Sequence, residues 1–243
     1  MLSAAVLPAL LLFLYIWRRD PQKEPIQELL KALALGISIC LPVALIEYGI
    51  KALIFGLHGE PATLIGTTAQ AFFVAALPEE GAKLLVLWLL LRKNKYFDEH
   101  IDGIVYAVCV GLGFAVIENI MYVVSSDNWA WVALMRALLS VPGHYAFAIM
   151  MGYYFALYYF VDHSRKNAFL MFFVPFMAHG IYDSLAMSGA ANPIVGGIAF
   201  IVLIVFCIKM QRQVQRRIGE MIHRDNQYNQ YNQNNQDIQD IQQ

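Results

Sequence analysis

Seven stretches of this sequence are apolar for most of the ~20 residues that a helix needs to cross a bilayer. They fall at roughly 1–17, 28–49, 62–91, 101–124, 131–160, 168–188 and 193–208. Lipid offers backbone groups no hydrogen-bond partners, so a chain crosses it only as helices or as a closed barrel. Runs this long and this continuous are helices, and the expected fold is an all-α polytopic transmembrane bundle of about seven. Composition agrees: 59% of residues are hydrophobic and 14% charged, against about 25% charged in a soluble domain. A net charge of −1 excludes nucleic acid as a partner, because that needs a concentrated basic face. The expected surroundings are the lipid bilayer itself. Cys40, Cys109 and Cys207 sit in apolar runs without CxxC spacing and read as small core residues.

Basic residues alternate with the spans. Arg18, Arg19 and Lys23 follow the first, Arg92, Lys93 and Lys95 the third, Arg165 and Lys166 the fifth, and Lys209, Arg212, Arg216, Arg217 and Arg224 the last. The intervening loops carry only Lys51. The positive-inside rule therefore predicts an external N-terminus and a cytoplasmic C-terminus. The first span has its charges after the apolar stretch, the reverse of a cleavable signal, and reads as a retained helix. Residues 1–217 form one membrane domain. Residues 218–243 are a polar, Asn/Gln-rich segment of the kind expected to be a disordered cytoplasmic tail.

Several polar residues interrupt the apolar runs. Glu79, Glu80 and Lys83 lie between Ala-Phe-Phe-Val-Ala-Ala-Leu-Pro and Leu-Leu-Val-Leu-Trp-Leu-Leu-Leu. Each such charge costs at least about 2.5–3.5 kcal/mol to insert, and ionisable residues in such places face a bundle interior or a wet cavity. On a helix Lys83 reaches both carboxylates, at i+4 and i+3. Glu118 and Asn119 lie in the fourth span, His144 in Ser-Val-Pro-Gly-His of the fifth, and His179 and Asp183, one turn apart, in the sixth. At about 1.5 Å per residue, Glu79 and His179 stand roughly 20 Å from Arg92 and Lys166, and His144 about as far from Trp129. Glu118 lies more than 20 Å from Asp102 by the same measure. Residues from four spans thus share one depth, between the midplane and the outer half of the bilayer. Glu47 and Arg136 lie near helix ends, where snorkelling accounts for them. His58, His100, His163 and His223 are loop or tail residues with no evident partner.

A partly desolvated carboxylate suits a general base, and His with Asn or Asp can steady an oxyanion. A Gly-x-Ser-x-Gly elbow, paired Gly-Asp helices and His-Glu-x-x-His are all missing from the sequence, so these hydrolase designs are unsupported. A purely structural ion-pair network, a proton-coupled carrier and a non-catalytic binding protein remain as other uses of such residues. A carrier would show internal repeats or paired broken helices, and the sequence has no evident repeat.

Glu79-Glu80-x-x-Lys83, Phe114-x-x-x-Glu118-Asn119 and His179-x-x-x-Asp183, in this order on successive spans, resemble the PrsW family of intramembrane proteases. That family is distantly related to the CAAX prenyl proteases and bacteriocin-processing proteins. The resemblance covers about 17–211 and leaves the tail outside. It implies a multi-pass endopeptidase of the bacterial cytoplasmic membrane that makes the first cut in a single-pass anti-sigma factor, near its external side. Glu79 and Glu80 would activate water, His179 would polarise the scissile carbonyl, and Asp183 would orient His179. Glu118 stands where the CAAX relatives have His, which leaves its part less defined. His144 lies outside the three motifs but suits a site residue, and Lys83 and Asn119 are supporting. No cofactor is expected. A zinc-dependent version of the same protease is the alternative, with ligands from Glu79, Glu80, Glu118, His144 and His179.

Overall fold

The computed structural model describes residues 2–57 and 59–241; His58 and the last two residues of the tail lie outside them. Among the described residues the chain forms α1 (Leu2–Arg19), α2 (Ile26–Phe55), α3 (Leu64–Ala69), α4 (Leu77–Leu91), α5 (His100–Val124), α6 (Trp129–Met135), α7 (Val141–Leu157), α8 (Arg165–Ala191) and α9 (Pro193–Ile241), with no strand. Wide π-helical turns join α3 to α4 and α6 to α7, so the path is seven continuous rods, as the apolar runs predict. Six of these are long and apolar enough to cross a membrane. The other, 64–91, is the one that carries Glu79, Glu80 and Lys83.

Helix α5 is the central post. From Ile101 to Ala115 every residue is buried, so it has no lipid-facing side to mark with a polar–apolar stripe. Small residues let its neighbours approach closely. A methyl group added at Gly152 of α7 would fall 2.2 Å from the Gly103 carbonyl oxygen, and one at Gly113 would fall 2.2 Å from that of Leu33 on α2. Backbone cannot yield as a flexible side chain does. Gly152→Ala is therefore expected to destabilise the bundle by about 1–3 kcal/mol through overpacking, read as a lower unfolding temperature in detergent.

The two wide turns have a common cause. Gln70–Ala76 runs into Leu77-Pro78, and Arg136–Ser140 into Val141-Pro142. Proline has no N–H to donate, and its ring pushes away the carbonyl four residues back, here Val74 and Leu138. The helix widens to accommodate this, as it often does near functional sites. Glu79 and Glu80 follow the first proline directly, and His144 lies two residues beyond the second.

At the end of the bundle that carries the basic loops, α9 departs from expectation. It continues as helix through Ile241, about 73 Å in all at ~1.5 Å per residue, so the segment read as a disordered tail is helical among the described residues. The reason lies in a stripe: Met210, Val214, Ile218, Met221 and Asp225 are buried at spacings of three and four and return the helix to the bundle. Asp225 accepts from the backbone N–H groups of His100 and Ile101, at 2.8 and 3.0 Å. It also lies 2.6 Å from His100 Nδ1. His100 is thus the partnered first residue of α5 and not the isolated loop histidine read from the sequence. Cys40 and Cys109 are buried and Cys207 half-buried, all free.

Candidate active site

Glu79, Glu80 and Lys83 sit in the first two turns of α4, all buried. Lys83 Nζ donates to Glu79 Oε2 at 2.8 Å and to Glu80 Oε1 at 2.9 Å, the two helix-neighbour pairings that the spacing predicts. The ammonium also lies 3.3 Å from His144 Nδ1 and 4.3 Å above the Phe114 ring, a cation–π contact. An ammonium only donates, so His144 Nδ1 accepts and its proton is on Nε2. That Nε2–H donates to Glu118 Oε2 at 2.7 Å. One lysine therefore fixes the tautomer of a histidine on another helix.

The second histidine is held differently. His179 Nδ1 donates to Glu80 Oε1 at 2.9 Å, and its Nε2 lies 3.3 Å from Asp183 Oδ2. The ring stacks on Phe147, with centroids 4.8 Å apart, and stands 5.3 Å from the His144 ring, almost perpendicular to it. Pro175, four residues before His179, lies inside the continuous α8. Gly180 lets α8 press on Phe72 of the first wide turn, where an added methyl would meet the ring at 2.3 Å.

These groups surround a cavity of about 520 Å³ lined by Glu79, Glu118, His144, His179 and Asp183. Of the residues singled out from the sequence, Glu80, Lys83 and Asn119 are not on its wall. Glu80 lies behind Glu79, fully buried, with Oε2 lacking a hydrogen-bond partner. Asn119 turns away: its Nδ2 donates to the Ala5 carbonyl at 3.2 Å and its Oδ1 accepts from Arg136 Nε at 2.5 Å. Arg136 and Glu47, for which snorkelling suffices in the sequence, line the cavity instead. Arg136 approaches Glu118 Oε2 at 2.8 Å and lies 4.2 Å over the Tyr122 ring. Glu47 is on the α2 wall, with a buried oxygen that has no hydrogen-bond partner. The available signal was charge in an otherwise apolar run. Proximity to a span end concealed it, because α2 and the rod 129–162 both extend beyond the spans estimated from hydropathy.

The description "PrsW family intramembrane metalloprotease" matches residues 24–210. The chain belongs to the PrsW family. It is similar to the protein named Protease PrsW from Oceanobacillus iheyensis, 38% identical over 75% of this chain and 80% of the relative. The namesake from Geobacillus kaustophilus is 36% identical over 77% and 80%, and that from Clostridioides difficile 36% over 75% and 77%. No solved structure matches the chain. Membership of PrsW and the apolar helices together make this a multi-pass protein of the bacterial membrane.

The family description raises the question of a metal. By type the donors suit zinc: Glu79, Glu80 and His144 each place one ligand atom within 4.8 Å of the others. The position they would share is taken, however, since Lys83 Nζ contacts all three, at 2.8, 2.9 and 3.3 Å. An ammonium and a divalent metal cannot share one set of donors at these distances. As arranged, the three residues fit a lysine and not a resident metal.

Proposed function

We propose that this member of the PrsW family is a metal-independent endopeptidase in which Glu79 is the general base. The observation that carries the reading is positional: of the two adjacent carboxylates, Glu79 alone borders the cavity, which His179 also lines. A substrate carbonyl that takes the place of Asp183 at His179 Nε2, 3.3 Å away, while Nδ1 stays on Glu80, would receive a hydrogen bond that strengthens as charge develops on its oxygen. Glu79 takes a proton from a water in the cavity while the water oxygen bonds to the carbonyl carbon. The same carboxyl then passes that proton to the amide nitrogen as the C–N bond breaks. Lys83 and Glu80 hold Glu79 and His179 in place. Glu118, itself paired with Arg136, holds His144 beside them.

The substrate class that this reading favours is a single-pass membrane protein of the anti-sigma-factor type, cut near its extracytoplasmic side. Two features support it. The cavity is lined by the last turns of α5, at Glu118, Met121 and Tyr122, at the end away from the basic loops. Those loops, by the positive-inside rule, mark the cytoplasmic side and put the N-terminus outside. The test is cleavage of a single-pass substrate by the protein purified in detergent and treated with phenanthroline, which removes zinc and leaves magnesium and calcium. Unchanged cleavage is the expected outcome. Loss of cleavage, restored by zinc, would assign the chemistry to a metal. Proton-coupled uptake by proteoliposomes without any cleavage would favour a carrier.

A further inference from the structure

Far from the cavity, at the end of the bundle with the basic loops, a second group of acids meets. Asp20 and Glu24 come from the α1–α2 loop, Asp98 and Glu99 from the α4–α5 loop, and Asp102 from the first turn of α5. About 24 Å of α5, at ~1.5 Å per residue, separates Asp102 from Glu118. One oxygen each from Asp20, Glu99 and Asp102 lies within 4.8 Å of the others, and the same holds for Glu24, Asp98 and Asp102. Asp102 is 0%, Asp20 1% and Glu99 8% exposed. Buried carboxylates normally have a cation or a full set of donors. None of these five has a Lys or Arg nitrogen within 4.0 Å among the described residues. The nearby Lys23 ammonium donates instead to the Asp20 backbone carbonyl.

Their hydrogen bonds leave a specific deficit. Asp102 Oδ2 accepts from the N–H groups of Asp98 and Glu99 at 3.1 and 2.7 Å, capping α5. Asp20 Oδ1 accepts from Gln22 N at 3.0 Å. Glu99 Oε1 accepts from Asn229 Nδ2 at 3.2 Å and from Gln22 Nε2, and Glu24 Oε2 from the Tyr106 hydroxyl at 2.9 Å. Among the described residues, the other oxygens of Asp20, Glu99 and Asp102 are buried with no hydrogen-bond partner. Each of the three carboxylates is thus anchored through one oxygen and has the second unused. A cleft of about 610 Å³, bordered by Gln22, Asp98, Glu99, Asp225 and Asn229, reaches the group from outside.

We infer that Asp20, Glu99 and Asp102, with Glu24 and Asp98 beside them, bind a hard divalent cation. Oxygen-only donors with several carboxylates select magnesium, calcium or manganese over zinc. The ion would fasten the α1–α2 loop, the α4–α5 loop and the start of α5 together, and through Glu99 and Asn229 it would reach α9. This inference does not depend on the protease reading.

The full chain, purified in detergent and stripped of metal, is titrated with Mn²⁺ and followed by electron paramagnetic resonance. Wild type should bind one tight Mn²⁺, displaced by excess Mg²⁺ or Ca²⁺, and its unfolding temperature should rise with either of those ions. Asp102→Asn and Asp20→Asn keep an acceptor oxygen for the existing backbone bonds, and each should weaken Mn²⁺ binding at least tenfold. A doubly substituted Glu79→Gln/Glu80→Gln chain should bind as wild type does. The inference is overturned if wild type holds no Mn²⁺, if the two Asn variants bind as tightly as wild type, or if only the Glu79/Glu80 variant loses binding.

Discussion

Glu79→Gln should lower peptide-bond cleavage by about a hundred- to ten-thousandfold, the usual contribution of a general base, while the protein unfolds at close to its normal temperature. The amide has almost the shape of the carboxylate and still accepts from Lys83, which keeps its second carboxylate at Glu80 Oε1, 2.9 Å away. What the amide lacks is the basicity to take a proton from water in the cavity that Glu79 borders. Glu80→Gln is a different change. Glu80 accepts from both Lys83 and His179, so its replacement disturbs the placement of two groups at once and should lower both activity and stability. Initial cleavage rates and thermal unfolding in the same detergent separate the two cases. Full activity in Glu79→Gln with an inactive but well-folded Glu80→Gln would transfer the base to Glu80 and remove the argument from cavity exposure.

The helices and most of this site were legible because membrane insertion penalises polarity so strongly. A Glu, His or Asp in a long apolar run declares itself, and helical spacing alone pairs Lys83 with both acids and His179 with Asp183. Which side of its helix a residue occupies is not encoded in that way. Asn119 follows Glu118 directly in the sequence, yet it turns to Ala5 and Arg136 while Glu118 meets the cavity. For Arg136 and Glu47, charge near a span end has two explanations, and only the tertiary packing that puts both on the cavity wall chooses between them. The α9 stripe was overlooked for a related reason. Its buried positions, Val214, Ile218 and Met221, are diluted by polar neighbours below the density of a membrane span, although their spacing is that of an amphipathic helix. The acidic group at the basic end depends on residues far apart in the chain, such as Gln22 with Glu99, 77 positions away, and Tyr106 with Glu24, 82 positions away. No local pattern reports such a meeting.

Lys83→Met should be the most damaging single change to the site. The substitution removes the ammonium that contacts Glu79, Glu80 and His144 together. Two adjacent carboxylates then remain buried in an apolar bundle without their shared cation. Breaking a buried ion pair by removing one partner costs about 3–5 kcal/mol, so a large fall in unfolding temperature should accompany loss of cleavage. Lys83→Arg should not restore function, because a planar fork cannot put one nitrogen at the point where two carboxylates and an imidazole converge. The same variant also separates the two accounts of the chemistry. If the lysine merely fills a site that properly belongs to zinc, its removal frees three donors of suitable type, and added zinc should stabilise Lys83→Met and return its activity. If the ammonium is the working cation, zinc can refill the space and recover some stability but not cleavage. It would then draw on the Glu79 carboxylate itself, leaving that oxygen bonded to metal and unable to accept a proton from water.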